Sequence, residues 1–146
     1  GLRPFYKETY DEWVTHEVWW GSDRAIFTIW PYDERHKQLP HGVVSADFGS
    51  GTSHVHSQFP AWHTHGSPDG RWAVADDFDG NIWLIRTESD ERRLLTQGHR
   101  RQGFDTHMHP SFTPDSKGVL FNSSKFDCAG IMLAAIPDWS DLPLLG

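Results

Sequence analysis

Three observations predict an all-β chain built from repeated antiparallel blades. His16, His63 and His109 follow one another at spacings of 47 and 46 residues. Each opens a segment of one design, in which an aspartate-bearing turn leads to an apolar pair ending 11 residues after the histidine, at Phe27, Val74 and Leu120. The stretches between are short apolar or alternating runs punctuated by Gly, Pro and Asp, without a long run of helical period. A repeat in the mid-forties with short strands is the blade spacing of a β-propeller, not that of helical repeats. We therefore expect one propeller segment over residues 1–146, with four-stranded blades at roughly 14–60, 61–104 and 105–146.

In the first repeat, 15–20, 25–30, 42–48 and 53–59 read as strands, with a hairpin turn at Gly49-Ser50-Gly51 and a longer charged loop at 31–40. In the second, 62–66 is the inner strand and Ser67-Pro68-Asp69-Gly70 turns the chain back. The strands 71–76, 81–86 and 92–96 follow. The third gives 106–112, 119–123 and 131–136, after which Pro137 and Pro143 end the pattern and the fourth strand is missing. Propellers close with roughly four to eight blades, so three do not make a ring. The chain also begins at Gly1 without a methionine. We expect a fragment of a longer propeller. The competing arrangements are a ring completed by a second copy and a last blade closed by an N-terminal strand around residues 4–13.

Composition narrows the function classes. With 37% hydrophobic and 14% aromatic residues, the chain has ample material for a core. A formal net charge of -7, with 13 scattered basic residues, argues against a nucleic-acid or anionic-membrane surface. Arg92, Arg93, Arg100 and Arg101 form the one dense basic patch and read as a solvated turn, with a site for a substrate carboxylate as the sharper alternative. Cys128 is the single cysteine, so no disulfide forms within the chain. No apolar run approaches the roughly 18 residues of a membrane span, and no signal peptide precedes Phe5. Trp19, Trp20, Trp62, Trp72 and Trp83 fall at strand positions and read as core.

The histidines carry the chemistry. Equivalent positions on the inner strands of neighbouring blades converge near a propeller axis, so His16, His63 and His109 are expected to face one volume. His107 and His109 are two apart, and in an extended segment both rings leave the same face. Imidazoles joined by the Gln102 carbonyl or the Asp105 carboxylate, with no thiolate, suit Mn, Zn, Ni or Fe(II). The competing reading is that repeated histidines cap the inner strand by bonding backbone at the turn. His36, His41, His54, His56 and His99 read as surface or edge-strand residues.

The same stretches resemble a known family. Thr15-His16-Glu17 before the pair Trp19-Trp20, the turn Ser67-Pro68-Asp69-Gly70-Arg71, and above all Thr106-His107-Met108-His109-Pro110-Ser111-Phe112-Thr113-Pro114-Asp115 followed by Gly118-Val119-Leu120-Phe121 are similar to the C-terminal part of oligogalacturonate lyases. The resemblance covers residues 15–137. It implies a seven-bladed propeller more than twice this length, of the polysaccharide lyase class, which degrades pectin fragments in the cytoplasm by β-elimination of short galacturonides. It also implies Mn2+ held by three histidines and a glutamine near the axis. Carried over by motif, the histidines are His16, His107 and His109. The family's glutamine falls three residues before the histidine pair, where this chain has Phe104, so Gln102 takes the place only across an insertion, with Asp105 as its substitute. His63 matches a recurrent family histidine and is assigned to substrate. The base and its arginine lie upstream in the family, so no catalytic residue is assigned and the chain alone is expected to be inactive. The alternative function is a non-catalytic TolB- or WD40-like binding propeller, which shares the Ser-Pro-Asp-Gly turns and predicts no metal.

Overall fold

The computed structural model describes residues 1–7, 12–31, 41–100, 106–126 and 128–144. The first sheet contains β1 (Glu12–Trp20), β2 (Arg24–Pro31), β3 (Gly42–Asp47) and β4 (Ser53–Ser57), hydrogen-bonded in chain order. The second contains β5 (Ala61–Gly66), β6 (Trp72–Asp77), β7 (Ile82–Arg86) and β8 (Glu91–Thr96), again in chain order. The third has three strands among the described residues: β9 (Ser111–Phe112), β10 (Gly118–Ser123) and β11 (Gly130–Ala135). Every pairing is antiparallel. These are the expected meandering blades.

The repeated turns fold alike for one chemical reason. In the second blade the Ser67 hydroxyl donates to Asp69 (2.7 Å), Asp69 accepts the Arg71 N–H (3.1 Å), and the Trp72 N–H donates to Ser67 Oγ (2.9 Å). In the third, Thr113 donates to Asp115 (2.6 Å), Asp115 accepts the Lys117 N–H (3.1 Å), and the Gly118 N–H donates to Thr113 Oγ1 (2.9 Å). Short hydroxyl and carboxylate side chains thus take over turn hydrogen bonds that the backbone cannot close.

Burial shows how the blades stack. The middle blade is covered on both faces: four of the five residues of β7 are buried, and Ile82, Leu84 and Ile85 are fully so. Trp20, Ile26, Phe59, Ala73 and Ile85 fill the space between the first two sheets. Val74, Leu84, Met108, Val119 and Phe121 fill that between the second and third. Each large buried side chain contributes about 1.5–3 kcal/mol. By contrast β11 alternates, leaving Ile131 and Leu133 71% and 65% exposed, and Trp13 and Trp19 stand out from β1. The two end blades therefore present uncovered apolar surface.

Both chain ends depart from the simplest expectation. Phe5 and Tyr6 form no strand on the last blade; they pack against the first, Phe5 on Trp19 and Phe48 and Tyr6 on Phe27. At the other end a short 3-10 helix, Trp139–Asp141, carries the chain back over the middle blade. Arg93 donates to the carbonyls of Trp139 (2.8 Å) and Leu142 (3.2 Å), and Trp139 lies beside Trp72. This covers the outer edge of β8, an edge that would otherwise expose unpaired backbone. Arg92 and Arg93 are consequently not a solvated turn: Arg92 lies over Phe59 and Trp83 and donates to Ser57 and Gln58 of the first blade.

Candidate metal centre

The three repeat histidines meet where the inner strands meet. Thr28, fully buried on β2, has its hydroxyl 3.1 Å from the carbonyls of Thr15 and Trp62, the residues just before His16 and His63. One proton serves two acceptors in turn, and the inner strands of the first two blades are held together there. The pairing of β1 with β2 slips between Thr15 and Val18, and that of β5 with β6 slips between Ala61 and Thr64. Such bulges re-aim a side chain that regular pleating would send elsewhere. His16 (φ 57°) and His109 (φ 46°) also occupy the left-handed region that side-chain-bearing residues seldom adopt.

The segment around His107 is not the strand expected over 106–112; ladder pairing begins only at Ser111. The alternation survives without the ladder. Met108 is fully buried in the core between the second and third blades, and its carbonyl accepts the Asn122 N–H (2.8 Å). The flanking histidines turn the other way. Their rings lie 5.8 Å apart and 19° from parallel.

One ring nitrogen from each of His63, His107 and His109 lies within 4.8 Å of the other two. His63 and His109 are in ring contact, with centroids 3.7 Å apart. His63 is buried, and its position is set by Asp76 on β6, which accepts the His63 backbone N–H (2.6 Å) and faces ring Nδ1 at 2.9 Å. The opposite nitrogen, Nε2, is buried with no hydrogen-bond partner among the described residues. An orphaned polar atom of this kind costs about 1–3 kcal/mol, so this nitrogen is shaped for a ligand. A histidine whose far side is held by a carboxylate is the usual form of a metal-ligating imidazole.

His16 stands beside this trio rather than in it: its ring is 4.3 Å from that of His63 and 6.4 Å from that of His109. Burial, then the neighbouring His63, lower the pKa of His16; the same two causes lower that of His109. Both rings are therefore neutral near pH 7. His16, His63 and His109 border a cleft of about 300 Å³ that also includes Glu17, His65 and Ser111. Gln102 and Asp105 lie outside the described residues.

Comparison with known proteins identifies the likeness. No family model matches the chain. Over an alignment 77 positions long that takes in 48% of the chain, it is 32% identical to an oligogalacturonide lyase of Pectobacterium atrosepticum, of which it covers 19%. The fold matches an oligogalacturonate lyase from Vibrio parahaemolyticus with a TM-score of 0.76 and 22% identity. It matches an oligogalacturonate lyase in complex with manganese with a TM-score of 0.77 and 23% identity. This chain resembles the oligogalacturonate lyases. Both of these structural matches cover 94% of the chain and 39% of the lyase, so the chain spans well under half of their length. TolB from Acinetobacter baumannii shares the fold more loosely, with a TM-score of 0.64 and 17% identity over 87% of the chain.

His63, assigned to substrate, is the buried member of the trio, and His16, assigned to the metal, lies beside the trio with its ring 4.3 Å from that of His63. Asp76 was missed altogether. Its signal in the sequence is an acidic residue ending the apolar run Trp72-Ala73-Val74-Ala75, where a carboxylate has no reason to be buried without a partner. Trp62, read as core, is only partly buried and lies against the site, stacked on His63 (centroids 4.8 Å) and Phe78 (4.6 Å) and 4.2 Å from His107.

Proposed function

We propose that this chain is the metal-holding part of an oligogalacturonate-lyase-like propeller that acts on short galacturonides by β-elimination. The observation that carries the reading is His63: one ring nitrogen is fixed by Asp76, the other is buried without a hydrogen-bond partner among the described residues, and the residue offers a ligand atom within 4.8 Å of those of His107 and His109. Three imidazoles fit a borderline divalent ion, and the manganese complex of a lyase of this fold makes Mn2+ the first choice. Gln102 or Asp105 is proposed as a fourth ligand. Bound on the trio, such an ion would neutralise a uronate carboxylate and so lower the barrier to removing the adjacent C5 proton.

The chain's own residues divide the remaining work. Asp76 and the β5 bulge hold His63 in one orientation, and Met108, anchored in the core, holds His107 and His109 against it. His16 is the imidazole left over beside the trio, open to the same cleft, and we assign it to accepting the proton. This revises the expectation that the base lies wholly upstream. Trp62 and Phe78 offer an aromatic face next to the ions' ligands for a sugar ring. The uncovered faces of the end blades, at Ile131 and Leu133 and at Trp13 and Trp19, are where further blades or a second copy would pack, and elimination is expected to need them. A cytoplasmic setting accords with a substrate of short oligomers.

The TolB likeness favours a second reading, a binding propeller without metal. Calorimetry with a short galacturonide separates them. The lyase reading expects binding that requires Mn2+, is abolished by chelation and by His107→Ala, and persists in His16→Ala. Binding indifferent to chelation and to His107→Ala would support the TolB-like reading and refute ours.

A further inference from the structure

A second group of ligating side chains lies at the outer rim, between the first and second blades and apart from the repeat histidines. His54 and His56 are two apart on β4, the outermost strand of the first blade, and their rings sit 4.7 Å from each other. Asp90 reaches them from the turn between β7 and β8 of the second blade. His54 Nε2 lies 2.9 Å from Asp90 Oδ1 and 2.8 Å from Oδ2, and His56 Nδ1 lies 3.2 Å from the same Oδ1.

We propose that His54, His56 and Asp90 form a second site for a borderline divalent cation such as Zn2+, clamping the rim of the first blade to that of the second. One ligand atom from each residue falls within 4.8 Å of the others. Tetrahedral coordination with bonds of about 2.0–2.1 Å puts neighbouring ligand atoms about 3.3 Å apart, so the 2.9 and 3.2 Å from Asp90 Oδ1 to the two imidazole nitrogens need only small outward shifts. Two imidazoles and one carboxylate with no thiolate select Zn2+ and its neighbours over Ca2+ or Mg2+.

Two features argue that the arrangement is built rather than accidental. His56 is 4% exposed, and its far nitrogen, Nε2, is 2.9 Å from the Ser45 hydroxyl on β3. With Nε2–H donating to Ser45, Nδ1 presents its lone pair to the site, which is the outer-shell arrangement that fixes a ligating histidine. Asp90 holds a left-handed backbone (φ 57°), a conformation Asp tolerates, and it aims the carboxylate across the blade boundary. His54 and Asp90 remain accessible, leaving an entry path and room for water as a fourth ligand.

The test is equilibrium dialysis of the full chain against Zn2+, in the wild type and in His54→Ala, Asp90→Asn and His107→Ala. Because His54 is exposed, Asp90 is only partly buried and Asn also tolerates the left-handed region, neither substitution threatens the fold. We expect two ions per chain in the wild type. His54→Ala and Asp90→Asn should each weaken one of them at least tenfold and leave the other in place, and His107→Ala should show the reverse. In the His107→Ala background, Zn2+ should still raise the melting temperature, and adding Asp90→Asn should erase that rise. If His54→Ala and Asp90→Asn leave stoichiometry, affinity and the Zn2+-dependent melting temperature unchanged, the rim site does not exist, whatever becomes of the trio.

Discussion

Asp76 accepts the backbone N–H of His63 at 2.6 Å and lies 2.9 Å from the ring nitrogen of the same residue, so one carboxylate fixes both where His63 sits and which nitrogen it offers. The offered nitrogen is the buried one, which has no hydrogen-bond partner among the described residues. Replacing Asp76 with Asn keeps the shape but removes the charge that holds the ring. We expect Asp76→Asn to weaken divalent-ion binding at the trio by about tenfold to a hundredfold, measured by competition with a chromophoric chelator.

Thr28 tests how the inner strands are held. Its hydroxyl lies between the carbonyls of Thr15 and Trp62 in a fully buried position. Thr28→Val preserves the volume and leaves those carbonyls short of a donor, at a cost of about 1–3 kcal/mol in denaturant unfolding. Ion affinity at the trio should fall with it, because Trp62 precedes His63 directly.

The blade interface is tested at Gly66. A Cβ there would run into the Trp20 ring, which is 1% exposed and donates its Nε1–H to the Ser67 carbonyl (2.8 Å). The indole cannot retreat without losing that bond. Gly66→Ala should therefore destabilise the chain by about 1–3 kcal/mol, read as a lower denaturation midpoint with little change in slope.

Most of the blade pattern was legible because it rests on local chemistry: alternation, and turn side chains at fixed offsets. The strands of the first two blades fall within a few residues of expectation. The His107 segment misled because left-handed backbone at His109 ends the extended run, and no composition signal marks it. The trio was legible only in part. Histidine recurrence pointed to the right volume, but whether His16 or His63 enters the trio depends on two strand bulges and on Asp76, none of which the repeat spacing records. His56 does lie on the edge strand β4, though only 4% exposed and facing the Ser45 hydroxyl, whereas His99, expected at the surface or an edge, is 4% exposed and held between hydroxyls of two blades.

His99 gives the chain an acid-sensitive seam. Its ring lies between the hydroxyls of Thr96 (2.9 Å) and Ser123 (3.0 Å), joining the second blade to the third. Burial, with Lys125 nearby, pushes its pKa from 6.5 down to about 4. On acidification the unfolded chain takes up this proton first, so stability falls as the pH drops from about 6.5 to about 4, by at most about 1.4 kcal/mol per unit. The other histidines with lowered pKa push the same way, so the comparison is with His99→Gln: between pH 7 and pH 5 the wild type should lose more stability than the variant. Equal losses would mean that His99 titrates normally in the folded chain.

The central claim is that His63, His107 and His109 hold a divalent ion while His16 stands beside it. The most direct measurement is the Mn2+ content of the purified chain, taken in the His54→Ala background so that only one site counts, and repeated with His63→Ala and with His16→Ala. The account predicts one ion per chain, lost with His63→Ala and retained with His16→Ala. An ion retained in His63→Ala, or lost in His16→Ala while the fold persists, would contradict it.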